Sequence, residues 1–523
     1  MASAPFQPNF PWQVMHETVP RVTSARLYTP RNLRPDGTHD PQNAWRPGMD
    51  ALRQIVADAE AANMRVRALG GLWSLSPVAV LQDYVIDTSN LTESVLSLPS
   101  GAVGPNAARG RPFVFVQAGA GVVDFHEDLM RAGMDLPTCG GSNGQTLGGA
   151  IATGTHGGAI DVGSMQDYVV GIHLIGAGGR HAWIERASRP VVTSAFVEML
   201  GAELVRDEDM FDAAVVSIGS FGVAHAYMLE VENAFALEQY VKRVDYSTAL
   251  RSIAGGNIDV GVLQLPPGNE RPHHFEFVVD PYHRAVGQAG VVARVMYRRP
   301  FHAPPPPGGG VSATPSPGLL GFIAGLLDAF PGPIDRLVLE NAIPSFLAQL
   351  VPVVSGVIST PAAIFGDTSL RTGGISMELG FELGDVPRAA AILADAAEEN
   401  LYAGVLAFRF VKSSRATLAF TRSPNAARAA DAGSRIVCTV ETDALSTDGT
   451  AAALQAFWTN LDAANIPYTL HWGQKLRDEA AWVRRAYGPA VDAWLTQRRR
   501  WLATASARRL FSSDLLDTLG LSS

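Results

Sequence analysis

Eight glycines fall among the twenty residues from Cys139 to Gly158, which read CGGSNGQTLGGAIATGTHGG, with Ser142, Thr146, Thr153 and Thr155 between them. No ordinary core helix or strand has this density, because glycine brings no side chain to packing and loses the most chain entropy on ordering. The pattern suits a loop whose bare backbone N–H groups approach an anion while hydroxyls add donors, and phosphate is the ligand such a loop fits best. Turns alone rarely need so many glycines. A second place of the same kind is Arg67–Ser76, RALGGLWSLS. Each follows a predicted strand, yet neither has the GK[ST] of a Walker loop or the strand-to-helix setting of a GxGxxG dinucleotide fingerprint.

The surrounding sequence is mixed α and β. Leu52, Ile55, Val56, Ala59 and Ala62 recur at helical spacing and predict a helix over Asp50–Asn63, followed by a strand over Arg65–Leu69. Further strands are expected at Asp83–Thr88 and Phe113–Ala118, then a helix over Val122–Ala132 capped by Gly133. A hairpin over Tyr168–Ile184 turns at Gly178-Gly179, and a strand over Ala224–Val231 closes a first unit near Glu232. Beyond it, strands at Phe275–Val279, Ile375–Leu383, Leu406–Val411 and Ile436–Val440, with a helix over Val386–Asn400, predict a second α+β unit. It is interrupted by the breaker run APPPPGGG at 303–310 and by apolar helical segments over Pro315–Pro361. Glu479–Leu516, with Trp482, Tyr487, Trp494 and Trp501, predicts helices packing back on the body.

Composition narrows the function. At 523 residues the chain is long enough for two or three domains, and 47% hydrophobic against 17% charged residues excludes global disorder. Lys plus Arg at 41 against Asp plus Glu at 50 leaves a net charge of -9, which repels polyanions, so no nucleic-acid partner is expected. Two cysteines, Cys139 and Cys438, make neither a disulfide framework nor a zinc site, and His273-His274 has no second ligand at metal spacing, so no metal is expected. Met1–Phe10 lacks a signal-peptide pattern, and charges and prolines interrupt the apolar stretches of residues 318–364 below spanning length. A cytoplasmic protein without a membrane span is the expectation.

Three segments, Arg67-Ala68-Leu69-Gly70-Gly71-Leu72-Trp73-Ser74, Thr146-Leu147-Gly148-Gly149-Ala150 to Thr153-Gly154-Thr155-His156-Gly157, and Gly219-Ser220-Phe221-Gly222-Val223, resemble in order and spacing the PCMH-type flavin-binding domain of the vanillyl-alcohol oxidase superfamily. The nearest group is the aldonolactone and alditol oxidases, whose C-terminal His-Trp-Gly-Lys is approximated by His471-Trp472-Gly473-Gln474-Lys475. The resemblance implies an α+β fold: an FAD domain of two α+β subdomains over residues 1–234 and a substrate domain with a mostly antiparallel sheet over 235–470. That second domain carries an insertion at about 301–365, and a segment over 471–523 returns to the FAD domain. It also implies FAD, held by Arg67, Gly70, Gly71, Leu72, Trp73, Ser74, Gly141, Ser142, Thr146, Gly148, Gly149, Thr153, Gly154, His156, Gly157, Gly222 and Val223. The glycines Gly148 and Gly154 would face the cofactor where no Cβ fits. Many members attach the flavin covalently through a histidine at the position of Trp73, and an indole cannot form that bond, so non-covalent FAD is expected.

The implied chemistry is hydride transfer from a C–H bond beside a hydroxyl or similar group, in which a cation near the flavin lowers the barrier and a base receives the hydroxyl proton. Arg409 matches the arginine of the family's Glu-x-Arg, while Ala407 replaces its acid. Lys475 stands one place beyond the family's lysine, a shift that turns a strand residue to the opposite face. Arg409, Lys475, His471 and Glu378 are the candidate catalytic residues, with Glu441 as a further roof-strand carboxylate. The partners are a small-molecule substrate, less polar than a sugar if the apolar 319–364 segment lines the pocket, and dioxygen or another electron acceptor. The alternatives are a flavoprotein catalysing isomerisation, cyclisation or elimination, and a flavin-binding relic without turnover.

Overall fold

The computed structural model describes residues 5–34, 36–40, 43–104, 110–302, 335–366, 368, 373–424 and 435–523. The first glycine loop leaves a small sheet, in which Phe6–Trp12 and Val22–Tyr28 form an antiparallel pair and Tyr84–Asp87 and Val66–Leu69 continue it in parallel. The helix Arg46–Ala61 covers it with Leu52, Ile55, Val56 and Ala59 buried, the residues whose spacing predicts it. The second glycine loop belongs to a six-stranded sheet ordered Glu203–Arg206, His181–Glu185, Val169–Ile175, Val223–Glu230, Phe113–Gln117 and Ser94–Val95.

That sheet buries a row of polar rings. The Gln117 amide nitrogen lies 3.0 Å from His225 Nε2, His225 Nδ1 2.8 Å from His173 Nδ1, and His173 Nε2 2.9 Å from His181 Nδ1. Because the amide can only donate, His225 carries its hydrogen on Nδ1 and His173 on Nε2, which orders the row in one direction. Burial lowers all three: His173 well below the ordinary histidine range, His181 to about 4 and His225 to about 3. All are neutral at pH 7.

The third sheet is antiparallel throughout and eight-stranded: Val354–Ser359, Phe235–Val244, Val291–Pro300, His274–Val279, Leu406–Lys412, Ile436–Glu441, Glu378–Glu382 and Thr469–Leu470. Strand alternation divides its faces. Phe275, Phe277, Phe408 and Phe410 pack on one side with Ala389, Leu393, Leu454 and Phe457 of the helices Val386–Glu399 and Asp448–Ala463. The other face carries Val241, Val278, Val292 and Ala407, covered by Leu339, Ala342, Ile343 and Leu347 of the helix Arg336–Leu350. Within the segment predicted as helical, Val354–Ser359 is instead an edge strand paired with Phe235–Val244. Its β-branched Val354, Val357 and Ile358 suit a partly exposed edge strand. The breaker run at 303–310 lies outside the described residues.

The chain returns through Thr469–Leu470 to the first glycine loop, where Leu75 N–H donates to the Gly473 carbonyl at 2.7 Å and the Ser76 hydroxyl to that of Trp472 at 2.6 Å. The last helices clasp the loop before Val223: Trp494 and Trp501 donate to the Val216 and Phe221 carbonyls, and the fully buried Arg498 to that of Ser220. Among the described residues no helix is long and apolar enough to cross a membrane.

Candidate active site

The two glycine loops cross each other. A Cβ on Gly70 would stand 2.3 Å from Thr146 Oγ1, and one on Gly71 2.3 Å from the Gly144 carbonyl oxygen. Gly144 in turn leaves room for the Trp73 indole, whose ring would lie 2.2 Å from a Cβ there. Leu72 completes the crossing with a left-handed φ of 53°, which non-glycine residues seldom adopt. Along the crossing runs a groove of about 910 Å³ lined by Gly70, Gly71, Leu72, Thr146, Gly148, Gly149, Gly222 and Tyr227, among others. Trp73, Ser74, Gln145 and Thr153 line both this groove and a second cavity of about 770 Å³.

The second cavity opens on the charged part of the eight-stranded sheet. Arg294 sits directly across from Glu276, and Glu276 directly across from Arg409, so the three share one face of neighbouring strands with Val278 and Ala407. Arg294 pairs with Glu276 at 2.9 Å, while Arg409 gives Nε to Glu276 at 3.1 Å and a terminal nitrogen to Glu441 at 2.7 Å. Burial would raise the Glu276 carboxyl, but Arg294, His274 and Arg409 outweigh it and hold the group well below the ordinary carboxylate range. Glu441 also accepts the Gln474 amide at 2.9 Å. A Cβ on Gly141 would be 3.1 Å from the other terminal nitrogen of Arg409, so the glycine loop passes directly against the guanidinium.

Beside this row lies a histidine–carboxylate pair. His156 Nδ1 is 2.7 Å from the Gly157 carbonyl oxygen and Nε2 is 2.7 Å from Glu378 Oε1. Burial alone would raise the Glu378 carboxyl, yet the charge and hydrogen bond of His156, with His471 and Arg409 behind, lower it to about 2. Glu378 is therefore a carboxylate, and the His156 ring spans the Gly157 carbonyl and that carboxylate. His471 differs: its Nδ1 accepts the Gly473 N–H at 3.0 Å, and burial lowers it to about 4, so it is neutral with its hydrogen on Nε2.

Against this geometry, the FAD binding domain family matches residues 48–185. Residues 48–185 are an FAD binding domain. The chain is 26% identical over 271 residues to an L-gulono-1,4-lactone dehydrogenase of Mycobacterium tuberculosis, covering 51% of this chain and 52% of that protein. It is 26% identical over 200 residues to an L-gulonolactone oxidase of Bos taurus, covering 38% and 39%. It thus spans about half the length of the first of these curated relatives. The cholesterol oxidase from B. sterolicum superimposes with a TM-score of 0.67 at 12% identity, covering 99% of this chain and 100% of that one. A solvent-stable cholesterol oxidase does so with 0.68 at 14%, covering 99% and 98%. The architecture is the PCMH-type FAD-binding fold.

The groove fits FAD on observations of its own. Its glycine crossing admits no side chain, and Gln145 Oε1 at its junction with the cavity, like Ser142 Oγ and Gln474 Oε1 within the cavity, is buried without a hydrogen-bond partner. Buried polar atoms normally have one. Of the expected FAD contacts, Gly70, Gly71, Leu72, Trp73, Ser74, Thr146, Gly148, Gly149, Thr153 and Gly222 line the groove, and Gly141, Ser142 and His156 line the cavity. Arg67 also lines the groove, but its buried guanidinium donates to the carbonyls of Val78, Gly219 and Ile218, so it shapes the far loop.

Several expectations are corrected. Gly154, Gly157 and Val223 line neither space. Gly154 caps the helix Leu147–Thr153 at φ 85°, Gly157 makes room for the Cys139 carbonyl and Thr138, and Val223 is core, flanked by the groove residues Gly222 and Ala224. Gly148 does line the groove, but a Cβ there would already meet the Ala118 carbonyl at 2.9 Å, so the protein's own backbone excludes it. Lys475 is exposed and absent from the cavity lining, whereas Gln474 lines it. The turn after Leu470 points position 474 inward, and the Lys475 N–H donates to the Ser376 carbonyl. Arg409, Glu378, His471 and Glu441 do converge on the cavity. Sequence reasoning missed His16, Ser376 and Asp443. Ser376 and Asp443 lie two positions from Glu378 and Glu441, a period-two signal that was legible.

Proposed function

We propose that the protein is an FAD-dependent oxidoreductase that takes hydrogen from a CH–OH or similar C–H donor on a substrate less polar than a sugar. The observation that carries this reading is the Arg409 guanidinium, clamped by Glu276 and Glu441 and set against Gly141 in the cavity that adjoins the FAD groove. The chemistry that FAD supplies when bound is acceptance of a hydride from the donor carbon. Arg409 supplies a fixed positive charge that needs no reorganisation as negative charge builds beside it. Glu378, kept ionised by His156, accepts the substrate hydroxyl at the oxygen not bonded to the ring, and His471 donates from Nε2. Trp73 and the glycine loop line the same cavity.

The substrate class rests on Ala407, which stands in place of the family's acid: it is buried in the apolar cluster of Leu339, Ile343 and Leu347 and offers a hydroxyl-rich substrate no partner. The fold neighbours named as cholesterol oxidases and the relatives named as gulonolactone oxidases and dehydrogenases support an alcohol or lactone donor between them. FAD is held without a covalent bond, because an indole stands at Trp73 and neither Cys139 nor Cys438 lines the groove.

The test is the absorption spectrum of the purified protein before and after acid precipitation, followed by anaerobic addition of a sterol, long-chain alcohols and polyols. All yellow colour should enter the supernatant, and an apolar alcohol should bleach the bound flavin. Flavin left on the precipitated chain refutes non-covalent binding; bleaching by polyols alone refutes the substrate class, and by no donor, the activity.

A further inference from the structure

Of the carboxyl groups in the cavity and on the sheet face beside it, all but one have a charged or ring partner. Glu276 has Arg294 and Arg409, Glu441 has Arg409, and Glu378 has His156. Asp443 lines the same cavity, is 2% exposed, and forms no ion pair among the described residues; its Oδ1 has no hydrogen-bond partner. Its backbone is pinned on both sides. The Asp443 carbonyl accepts the Val405 N–H at 3.1 Å, and the preceding Thr442 N–H donates to the Met377 carbonyl at 2.8 Å. The side chain therefore has little freedom to swing to another partner.

We propose that Asp443 is a neutral carboxylic acid whose hydrogen is the donor with which this pocket grips an uncharged oxygen of the substrate, making it a specificity-determining residue. The assignment rests on the reading of this cavity as the site of an alcohol oxidoreductase. The groups facing it are Glu441 on its own segment, Ser376 and Glu378 from the adjoining one, Arg409 from the central strand, and Tyr402. Burial and the Glu441 carboxylate push the Asp443 carboxyl well above its ordinary range, Glu378 adds to the rise, and Ser376 and Arg409 oppose it without reversing it. Glu441 and Glu378 are both acceptors; a neutral acid gives the pocket a donor opposite them. A hydroxyl, carbonyl or ether oxygen fits such a donor, whereas an ammonium group would require the carboxylate.

Infrared difference spectroscopy of the flavin-loaded protein at pH 7, parent minus Asp443→Asn, tests the protonation state without turnover. A protonated-carboxyl C=O band that moves in D₂O and disappears in the variant is expected; loss of a carboxylate band instead overturns the proposal. Asp443→Asn keeps an N–H donor and should hold KM for an uncharged alcohol within a few-fold. Asp443→Leu, at normal flavin content, should raise it roughly 10-fold, the loss of one buried hydrogen bond. Equal KM in the Leu variant and the parent overturns the substrate contact. If no alcohol bleaches the flavin but the protonated band is present, the activity reading fails while the neutral acid stands. Bleaching without the band is the reverse.

Discussion

Replacing Arg409 by Met removes one guanidinium from between two carboxylates and leaves each in a different state. Glu276 keeps Arg294 at 2.9 Å, so it remains paired. Glu441 keeps only the Gln474 amide, and its side chain is 16% exposed, so water can reach it in place of the lost guanidinium. Breaking a buried pair typically costs about 3–5 kcal/mol, and with one carboxylate still paired and the other partly exposed, the expected loss lies at the lower end, about 3 kcal/mol. Loss of the charge beside the reacting atoms adds a kinetic effect of about 100- to 1000-fold. Adding Glu441→Gln removes the orphaned carboxylate, so the double variant should regain much of the stability, a coupling within about 0.5–3 kcal/mol, but none of the rate. Denaturant unfolding of the flavin-loaded proteins and anaerobic stopped-flow reduction separate the two effects. Parent-rate reduction in Arg409→Met would remove the residue from the mechanism, and strictly additive destabilisation would show that Glu441 does not depend on it.

The buried row of His225, His173 and His181 makes stability fall in acid: the unfolded chain takes protons near pH 6.5, whereas the folded rings are held down to about 3 and about 4 for His225 and His181. Stability is therefore full above pH 6.5 and declines below it by about 1.36 kcal/mol per pH unit for each such histidine. His181→Gln should lower the slope of unfolding free energy between pH 6 and 5 by one proton, and an unchanged slope would contradict the assignment. Gly71→Ala should lose both stability and flavin because its Cβ meets the Gly144 carbonyl at 2.3 Å, while Gly149→Ala, whose Cβ meets nothing closer than 3.4 Å, should fold with an unchanged melting temperature and bind FAD more weakly. Equal flavin content in the two would sink the groove assignment. Lys475→Ala should reduce its flavin within about 2-fold of the parent rate, as for an ordinary surface position; a loss of 100-fold would restore Lys475 to the site.

The glycine loops were legible from sequence because what they require is local: a backbone approach closer than any Cβ allows selects glycine at that position, whatever lies on the other side. What lies there was not legible. Gly148 and Gly154 read as positions where the cofactor leaves no room for a Cβ, yet at Gly148 the Ala118 carbonyl already excludes one, and Gly154 is a helix cap at φ 85°. Strand alternation likewise told that Ala407 and Arg409 share a face, but not which face meets the flavin domain. That was decided by Glu276, 133 residues away in sequence, lying across from Arg409 in the antiparallel sheet. The helix Arg336–Leu350 then buries Ala407 while leaving Arg409 at the cavity. The exchange of Lys475 for Gln474 has the same origin. A one-residue shift reads as a flip only on a strand, and the strand ends at Leu470, after which the turn through Gly473, held by Leu75 and Ser76 of the first glycine loop, sets which side chain enters the site. Local sterics belong to the sequence; the pairing of charges from distant strands, and hence the protonation of Glu378 and Asp443, exists only once the sheet has assembled.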